Sequence, residues 1–441
     1  MSEHRVAGWR RLLLPERRWD ALAIVAIVLG AVLRVVWILV IHHPQGSVYS
    51  DMKGYVTRAE RLASGGPLGP NDAFYPPGTQ LLLALPIKIV GIEAGLWAAA
   101  VLWCAMSTAV VWLAWRLARD LLTPAAAGLT AVMCAGSPLF ISYGGFFTSE
   151  TPALAFLLTA LWLGLLATRR TGPTAVWLAL VSGLSGGVAV AVRPQLLLNV
   201  VMLAAIVLFV FRKRIAPFAS LGAGLFAVLF LVVAHNTVAT GQPTGLATNG
   251  GLNFWFGHCE VGRVTTHDPN GQQTAWFEQS VPDQLGRGGQ YAFNGINVWD
   301  EDFFFELGWD CIEQDKEAHV FRLARNVLDM TATTVPFPQS DERGWARDLV
   351  QAANVGYAVL LPWVVIESLF TVFRRRRALR PLGEAFMLAN LACAAVVAML
   401  ILGDPRVRSV YDVFGLALLS ALLADRFNLD EPERPRHPEH P

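Results

Sequence analysis

The sequence predicts an all-α polytopic membrane protein of about ten transmembrane helices, with two long outer loops that carry interfacial helices. Of its 441 residues, 54% are hydrophobic and only 16% are charged, whereas soluble domains carry about 25% charged residues. Several apolar runs reach the roughly 17–25 residues that a helix needs to cross a bilayer. The net charge of +1 gives no indication of a nucleic-acid partner.

The apolar runs divide the chain into a charged start at residues 1–20, a transmembrane domain at 21–425 and a tail at 426–441. No small-residue cleavage site follows the first run, which is therefore interpreted as a retained span rather than a signal peptide. The tail is proline-rich and charged, which predicts disorder. The predicted spans are residues 21–41, 95–115, 124–142, 151–168, 174–192, 195–211, 216–234, 350–373, 384–402 and 409–424.

Basic residues in the short loops indicate the orientation, because cytoplasmic loops are enriched in Lys and Arg. All the basic clusters fall on one side of the ten-span arrangement. Both termini are therefore predicted to be cytoplasmic. The protein itself is expected in the inner (plasma) membrane. The clusters are Arg10, Arg11, Arg17 and Arg18; Arg116 and Arg119; Arg169 and Arg170; Arg212, Lys213 and Arg214; and Arg374 to Arg377.

The two outer loops, residues 42–94 and 235–345, have helical patterns of their own. "DMKGYVTRAERLASGG" places Tyr55, Ala59 and Leu62 on one helical face, and Gly65–Gly66 should end that helix. The apolar part of "YPPGTQLLLALPIKIVG" is too short to span, which favours a re-entrant or interfacial helix. The second loop has helical periodicity between about residues 302 and 330.

Ionisable residues cluster where the predicted spans reach the outer side. They are Asp51, Glu150, Arg193, Asp404, Arg406 and Arg408. A charge near hydrocarbon costs several kcal/mol unless it is paired or hydrated, so such residues usually line a cavity. Arginines in short outer turns run against the positive-inside tendency, and an anionic ligand is the simplest reason for them.

Each of these residues also has a purely structural interpretation. Arg193 could form an ion pair with Glu150, Asp51 could be a solvated loop acid, and Asp404 could cap the turn at Pro405. Arg406 and Arg408 could extend to lipid headgroups. The convergence of all of them on one face favours a functional site.

Six segments, in this order, resemble the motifs of one family. They are "SDMKGYVTRAERLASGG", "YPPGTQLLLALPIKIVG", "GGFFTSETPALAFLLTALWL", "GGVAVAVRPQLLLNV", "TGQPTGLATNGGLNFWFGH" and "GDPRVRSVYDVFGLALL". The chain thus resembles the GT-C fold integral-membrane glycosyltransferases that use polyprenyl-phosphate sugars, which include protein O-mannosyltransferases and aminoarabinose transferases. It departs from the pattern at Met52, where relatives often have a second acid, and at Tyr75, where many have Lys or His.

The resemblance implies an inverting glycosyltransferase that moves a sugar from a polyprenyl-phosphate donor to an acceptor hydroxyl at the outer membrane face. Asp51 would be the general base. Arg406 and Arg408, with Arg193, would bind the donor phosphate. In an extended turn, the side chains of Arg406 and Arg408 would point the same way and that of Val407 the opposite way. Glu150, Tyr75, Asn249 and Asp404 would have supporting roles.

The expected partners are the lipid-linked donor, membrane lipids and a protein, lipid or polysaccharide acceptor. The chain has no P-loop, HExxH or CxxC signature. No cofactor is assigned, and a divalent metal is left open. "DED" at Asp300–Asp302 resembles a sugar-nucleotide metal motif, but a helix start is favoured there. Cys259 and Cys311, in the second outer loop, are either a disulfide or two free thiols. The alternative function is a transporter or flippase of a lipid-linked glycan.

Overall fold

The computed structural model describes residues 15–210, 215–259, 261–267, 273–279, 300–334, 344–374 and 380–430. Helices make up almost all of this part, which confirms the predicted all-α membrane class. The helices are α1 (Pro15–Val35), α2 (Ser50–Ala63), α3 (Gly78–Val90), α4 (Ile92–Leu121), α5 (Pro124–Gly136), α6 (Pro138–Gly144), α7 (Glu150–Thr168), α8 (Gly172–Val192), α9 (Leu197–Val210), α10 (Ala216–Thr240), α11 (Gly250–His258), α12 (Glu301–Gln314), α13 (Lys316–Asp329), α14 (Gly344–Arg374), α15 (Arg380–Leu400), α16 (Pro405–Ser409) and α17 (Asp412–Arg426).

Each predicted span coincides with a helix or a bent helix pair, but the count of ten is not confirmed. Among the described residues, seven helical segments are long and apolar enough to cross a membrane. An eighth is obtained if α5 and α6, bent by 51° at their junction, form one span. The helix at Pro194–Val210 is apolar but shorter. The seven are Arg17–Gly46, Ile92–Leu121, Glu150–Thr168, Gly172–Val192, Ala216–Thr240, Gly344–Phe373 and Leu382–Leu400.

Several predictions fall outside the described residues. The clusters at Arg10, Arg11 and residues 212–214 lie there, as do residues 375–377 of the last cluster. So do most of the charged start and residues 431–441 of the tail.

Helix α4 lies at the centre of the bundle, where it packs against α3, α5 and α7. Its buried side chains include Trp103 and Leu117, and the largest buried cluster of the described chain runs through it. Side chains such as Phe226 and Phe230, about 70% exposed on α10, give the bundle an apolar outer surface. A bilayer accommodates this distribution, because lipid tails are as apolar as the side chains on the outer face of the bundle.

A buried arginine in the first span is fully accounted for by the protein around it. Arg34 donates to the main-chain oxygens of Gly30, Cys134 and Ala135 and to the Ser107 hydroxyl, at 2.9–3.0 Å. A charge at this depth is tolerated only with such partners. Arg34 therefore joins α1, α4 and α5.

In the loop predicted at residues 235–345, residues 235–240 continue α10, and the other described residues include helices α11, α12 and α13 and one pair of strands. Strands β1 (Val261–His267) and β2 (Gln273–Gln279) pair antiparallel, with Val261 opposite Gln279. The predicted helical stretch at residues 302–330 corresponds to α12 and α13, which Asp300 and Asp315 cap by accepting from Phe303 N and Ala318 N. A disulfide between Cys259 and Cys311 joins the end of α11 to α12.

Candidate active site

A cavity of about 1150 Å³ lies between the membrane bundle and the helices of the second loop. Its inner wall comes from α2, the segment before α3, the turn after α8 and the segment around α16. Its opposite wall comes from α11, α12 and α13. Of the predicted site residues, Asp51, Tyr75, Arg193, Asn249, Asp404 and Arg406 line it. The structure therefore brings these residues, from five separated segments of the sequence, to one cavity.

Asp51 lies in the first turn of α2, the helix predicted from the first outer loop. Buried Met52, Tyr55 and Ala59 fix this helix against the bundle. Gly65, at φ +73°, ends it in the left-handed conformation that glycine adopts without steric cost. Ser50 also has a positive φ, +48°, which costs a non-glycine residue about 1–3 kcal/mol. Ser50 and Asp51 both line the cavity.

Tyr75 holds one oxygen of that carboxylate. Its hydroxyl donates to Asp51 Oδ1 at 2.8 Å, and its ring packs against Tyr55 and under the Arg58 guanidinium. Burial, followed by the Asp51 charge, raises the pKa of the Tyr75 phenol far above its usual value. Tyr75 is therefore a hydrogen-bond donor here and not a phenolate.

Arg406 holds the second oxygen of Asp51 and links it to Glu150. Its Nη1 donates to Asp51 Oδ2 at 2.6 Å, and its Nε donates to Glu150 Oε1. Burial lowers the pKa of Arg406, but Glu150 and Asp51 outweigh this effect and raise it well above its usual value. Arg406 stays charged at every physiological pH.

Arg193 approaches the same Glu150 oxygen from the other side. Its Nη1 lies 2.9 Å from Glu150 Oε1, and the two side chains are 10% and 3% exposed. The ion pair that the sequence left open is thus present, and Arg193 also lines the cavity. In the described part of the chain, that Nη1 makes no hydrogen bond, so its N–H groups can turn to a ligand.

The segment "GDPRVRS" forms a short helix and not the extended turn that the sequence predicted. Asp404 caps it, because its carboxylate accepts from Arg406 N at 2.6 Å, which is the structural role considered from the sequence. A Cβ at Gly403 would overlap the main-chain oxygen of Asn326. Glycine therefore lets this segment pass directly beneath α13.

The prediction that Arg406 and Arg408 face one phosphate together is wrong in its geometry. Residues two apart on a helix point about 200° apart, so Arg408 turns away from the cavity. It is 1% exposed and pairs with Asp412 at 2.9 Å. It also donates to Met330 O and Asn354 Oδ1. Arg408 joins α13, α14 and α17, and its surroundings are those of a structural residue.

The opposite wall is attached to the inner wall by the main chain. Thr248 N and Asn249 N donate to Ala73 O and Phe74 O at 2.8 and 3.2 Å, which places Asn249 beside Tyr75. Arg322 of α13 donates to the main-chain oxygens of His258 and Cys311. Together with the disulfide, these bonds hold α11, α12 and α13 as one unit over the cavity.

Sequence reasoning missed several cavity residues. Tyr55 lies one turn after Asp51 on the same helical face, so its i, i+4 spacing was a usable signal. Glu301, Arg322 and Asn326 also line the cavity. Their position on the cavity opposite Asp51 depends on how the second loop folds over the bundle, which no local pattern encodes. Among the described residues, no group of three or more His, Cys, Asp and Glu side chains is arranged to hold a metal ion.

Residues 75–237 match the family model of dolichyl-phosphate-mannose-protein mannosyltransferases. The matched segment is thus similar to that of a glycosyltransferase family. This confirms the resemblance that the motifs indicated. The segment includes Tyr75, Glu150 and Arg193, whereas Asp51 and Arg406 lie outside it. No curated protein matches the chain.

Similar solved structures include the archaeal oligosaccharyltransferase AglB from Archaeoglobus fulgidus, in complex with an inhibitory peptide and a dolichol-phosphate. It is 14% identical with a TM-score of 0.46, over 92% of this chain and 51% of that one. ArnT from Cupriavidus metallidurans bound to undecaprenyl phosphate is 13% identical with a TM-score of 0.35, over 95% of this chain and 78% of that one. The present chain thus spans about half the length of the oligosaccharyltransferase.

Proposed function

We propose that this protein is an inverting glycosyltransferase that moves a sugar from a polyprenyl-phosphate donor to an acceptor hydroxyl in the cavity around Asp51 and Arg406. The observation that carries the proposal is the contact of one guanidinium with two carboxylates from distant segments. The guanidinium and Asp51 line a cavity large enough for a lipid headgroup and an acceptor. The description of the matched family, which names a dolichyl-phosphate sugar, supports the donor class.

Arg406 and Arg193 are the phosphate-binding groups of this proposal. Guanidinium groups grip a phosphate with two parallel hydrogen bonds and stabilise the charge that develops on it as it leaves. Before the donor binds, Asp51 and Glu150 satisfy them. The donor phosphate competes with these carboxylates, and Arg406 exchanges at least one of its partners when the donor enters.

This exchange prepares Asp51 to act as the base. In the structure described above, its two oxygens accept hydrogen bonds from Tyr75 and Arg406. Once Arg406 turns to the phosphate, one oxygen becomes free to accept a proton. A carboxylate in hydrogen-bond reach of the acceptor then acts as general base.

In the reaction, the acceptor hydroxyl attacks the anomeric carbon from the face opposite the phosphate. The new carbon–oxygen bond forms as the bond from the anomeric carbon to the phosphate oxygen breaks. The electron pair of the broken bond stays on the polyprenyl phosphate, and the acceptor proton passes to Asp51. A single displacement inverts the anomeric configuration, so no second carboxylate is required as a nucleophile.

The apolar part of the cavity suits the prenyl chain of the donor. Val397, Ile401 and Leu402 line it at the end of α15, and Val397 belongs to a segment long enough to span the membrane. This wall therefore extends from the arginines to hydrocarbon depth, as a lipid-linked donor requires. The basic clusters in the short loops favour the extracytoplasmic side for the cavity. The acceptor is a protein, lipid or polysaccharide.

The test is transfer in proteoliposomes. Purified protein is supplied with a panel of undecaprenyl-phosphate hexoses and pentoses, labelled in the sugar, together with an acceptor extract. The proposal predicts release of undecaprenyl phosphate and transfer of the label with inverted anomeric configuration. The alternative transporter function predicts that intact donor moves between leaflets without cleavage. Movement without cleavage for every donor in the panel would overturn the proposal.

A further inference from the structure

The "DED" segment at Asp300–Asp302 has only partly been explained by helix capping. Asp300 caps α12, and Asp302 is exposed. Glu301, between them, lines the cavity that holds Asp51 and Arg406. It does so from the wall of the second loop, across the cavity from the charged network.

Four carboxylates line this cavity in the described part of the chain. Asp51 is bound by Arg406 and Tyr75. Asp404 accepts from the main chain of Arg406, and Asp329 lies 3.6 Å from Arg325. For Glu301, the described residues provide neither a hydrogen bond nor an ion pair. Burial, and then the neighbouring charge of Asp302, raise the pKa of its carboxyl to about 7.

Two glycines place Glu301 at this position. A Cβ at Gly250 would lie 2.6 Å from Glu301 Oε1, and one at Gly251 would overlap the Glu301 main-chain oxygen. The first turn of α12 therefore packs directly on the first turn of α11. The Glu301 side chain lies over the main chain of Gly250, where no side chain intervenes. The two glycines of the Asn-Gly-Gly segment are thus explained by the close approach of α12, and not by the conformation of a turn.

We propose that Glu301 binds ring hydroxyl groups of a sugar in this cavity and helps to select that sugar. An unpaired carboxylate is an acceptor-only group that can receive hydrogen bonds from two adjacent hydroxyls, and charge-assisted hydrogen bonds of this kind are about twice as strong as neutral ones. The inner wall supplies the groups for proton and phosphate chemistry. The opposite wall, through Glu301, supplies recognition. This inference rests on the proposed function.

The hydroxyls belong to either the transferred sugar or a glycan acceptor, and binding measurements separate the two. The experiment uses the undecaprenyl-phosphate sugar that the wild type transfers, undecaprenyl phosphate without a sugar, and the acceptor. Glu301→Gln should weaken binding of one sugar-bearing ligand by about tenfold or more. Its affinity for undecaprenyl phosphate should be unchanged. A raised KM for the donor identifies the transferred sugar, and a raised KM for the acceptor identifies a glycan acceptor.

Two further variants separate recognition from folding. Asp302→Asn removes the neighbouring charge, which helps to raise the pKa of Glu301, so we expect a KM for the sugar-bearing ligand equal to or lower than that of the wild type. Gly250→Ala keeps every charge but displaces the flexible Glu301 carboxylate, so we expect a smaller rise in the same KM. If the wild type transfers sugar and Glu301→Gln leaves both KM values unchanged, this inference is wrong and the proposed function stands. If the wild type transfers no sugar from the panel, the function itself fails.

Discussion

Arg406 Nη1 donates a hydrogen bond to Asp51 Oδ2 at 2.6 Å, although 355 positions separate the two residues in the chain. The same guanidinium contacts Glu150, which is only 3% exposed. The contacts bring together the start of α2, the start of α7 and the short helix α16. Two carboxylates thus hold one buried cation. We propose that the donor phosphate displaces one of them when the donor binds.

The first prediction concerns the guanidinium of Arg406. Lysine keeps the charge but cannot contact two groups with a planar fork. Arg406→Lys should therefore lower kcat by about 10²–10³-fold, the loss typical of one transition-state donor. The matched control is Arg119→Lys. Arg119 pairs with Asp20 at 2.9 Å, outside the cavity, so this variant should transfer at the wild-type rate. Near-wild-type transfer by Arg406→Lys would remove Arg406 from the phosphate site.

The second prediction assigns Arg408 to stability. Arg408→Met leaves Asp412 buried without its cation, which should destabilise the protein by about 3–5 kcal/mol. The double variant Arg408→Met, Asp412→Leu should recover part of this loss, because it removes both charges. Thermal unfolding in detergent measures both effects. Donor affinity of the folded Arg408→Met protein should equal that of the wild type, and a specific loss of donor binding would return Arg408 to the phosphate site.

A third prediction follows from the disulfide. Cys259 and Cys311 are 52 residues apart, and closing a loop of this length contributes about 3–5 kcal/mol on the chain-entropy model. The double variant Cys259→Ser, Cys311→Ser should have a lower Tm, faster proteolysis of the second loop and weaker transfer, because one cavity wall loosens. Reductant should affect the wild type and the control Cys393→Ala alike, but not the double variant. Peptide mapping without reductant that finds both thiols alkylated would contradict the pairing.

The fourth prediction is a pH dependence set by Glu301. Its pKa of about 7 lies above that of an ordinary glutamate, about 4.3. Between these values the folded state binds more protons than the unfolded state, so stability falls as the pH rises from about 4.5 to 7. Sugar binding should change oppositely, because the ionised carboxylate forms as the pH rises through about 7.

The measurement is KM for the sugar-bearing ligand between pH 5.5 and 8.5. Asp302 adjoins Glu301 on α12, while α11 carries His258 and α13 carries His319 and Arg322. The double variant His258→Gln, His319→Gln therefore serves as the control and should keep the wild-type profile. Glu301→Gln should flatten it. A profile that persists in Glu301→Gln would assign the titration to another group.

Much of the inner wall could be predicted from the sequence. Apolar runs, the amphipathic pattern of α2 and the glycines after it indicated where Asp51 would lie. The pattern also indicated an ion pair between Arg193 and Glu150 as one alternative. These features depend on local periodicity and on charge near hydrocarbon, both of which can be seen in a short window of sequence.

The rest depended on contacts between distant segments. Whether Arg408 faces the cavity depends on the conformation of five residues, and the Asp404 cap with Pro405 made them helical. Glu301 reaches the cavity only because α12 packs on Gly250 and Gly251. Nothing near residue 301 encodes that contact. Three predicted spans correspond to helices that are short or bent, since α9 and α17 are too short to qualify and α5 ends where α6 begins.

The most direct test of this account is Asp51→Asn in the proteoliposome assay, with donor binding measured separately. Asparagine keeps the shape but cannot take the acceptor proton, so transfer should fall by about 10²–10⁴-fold. Donor affinity should be retained or rise, because the donor phosphate no longer competes with a carboxylate for Arg406. Asp120→Asn, the same substitution in a pair with Arg169 remote from the cavity, should transfer normally. Transfer by Asp51→Asn at the wild-type rate would contradict the account, as would a loss of donor binding that matches the loss of transfer.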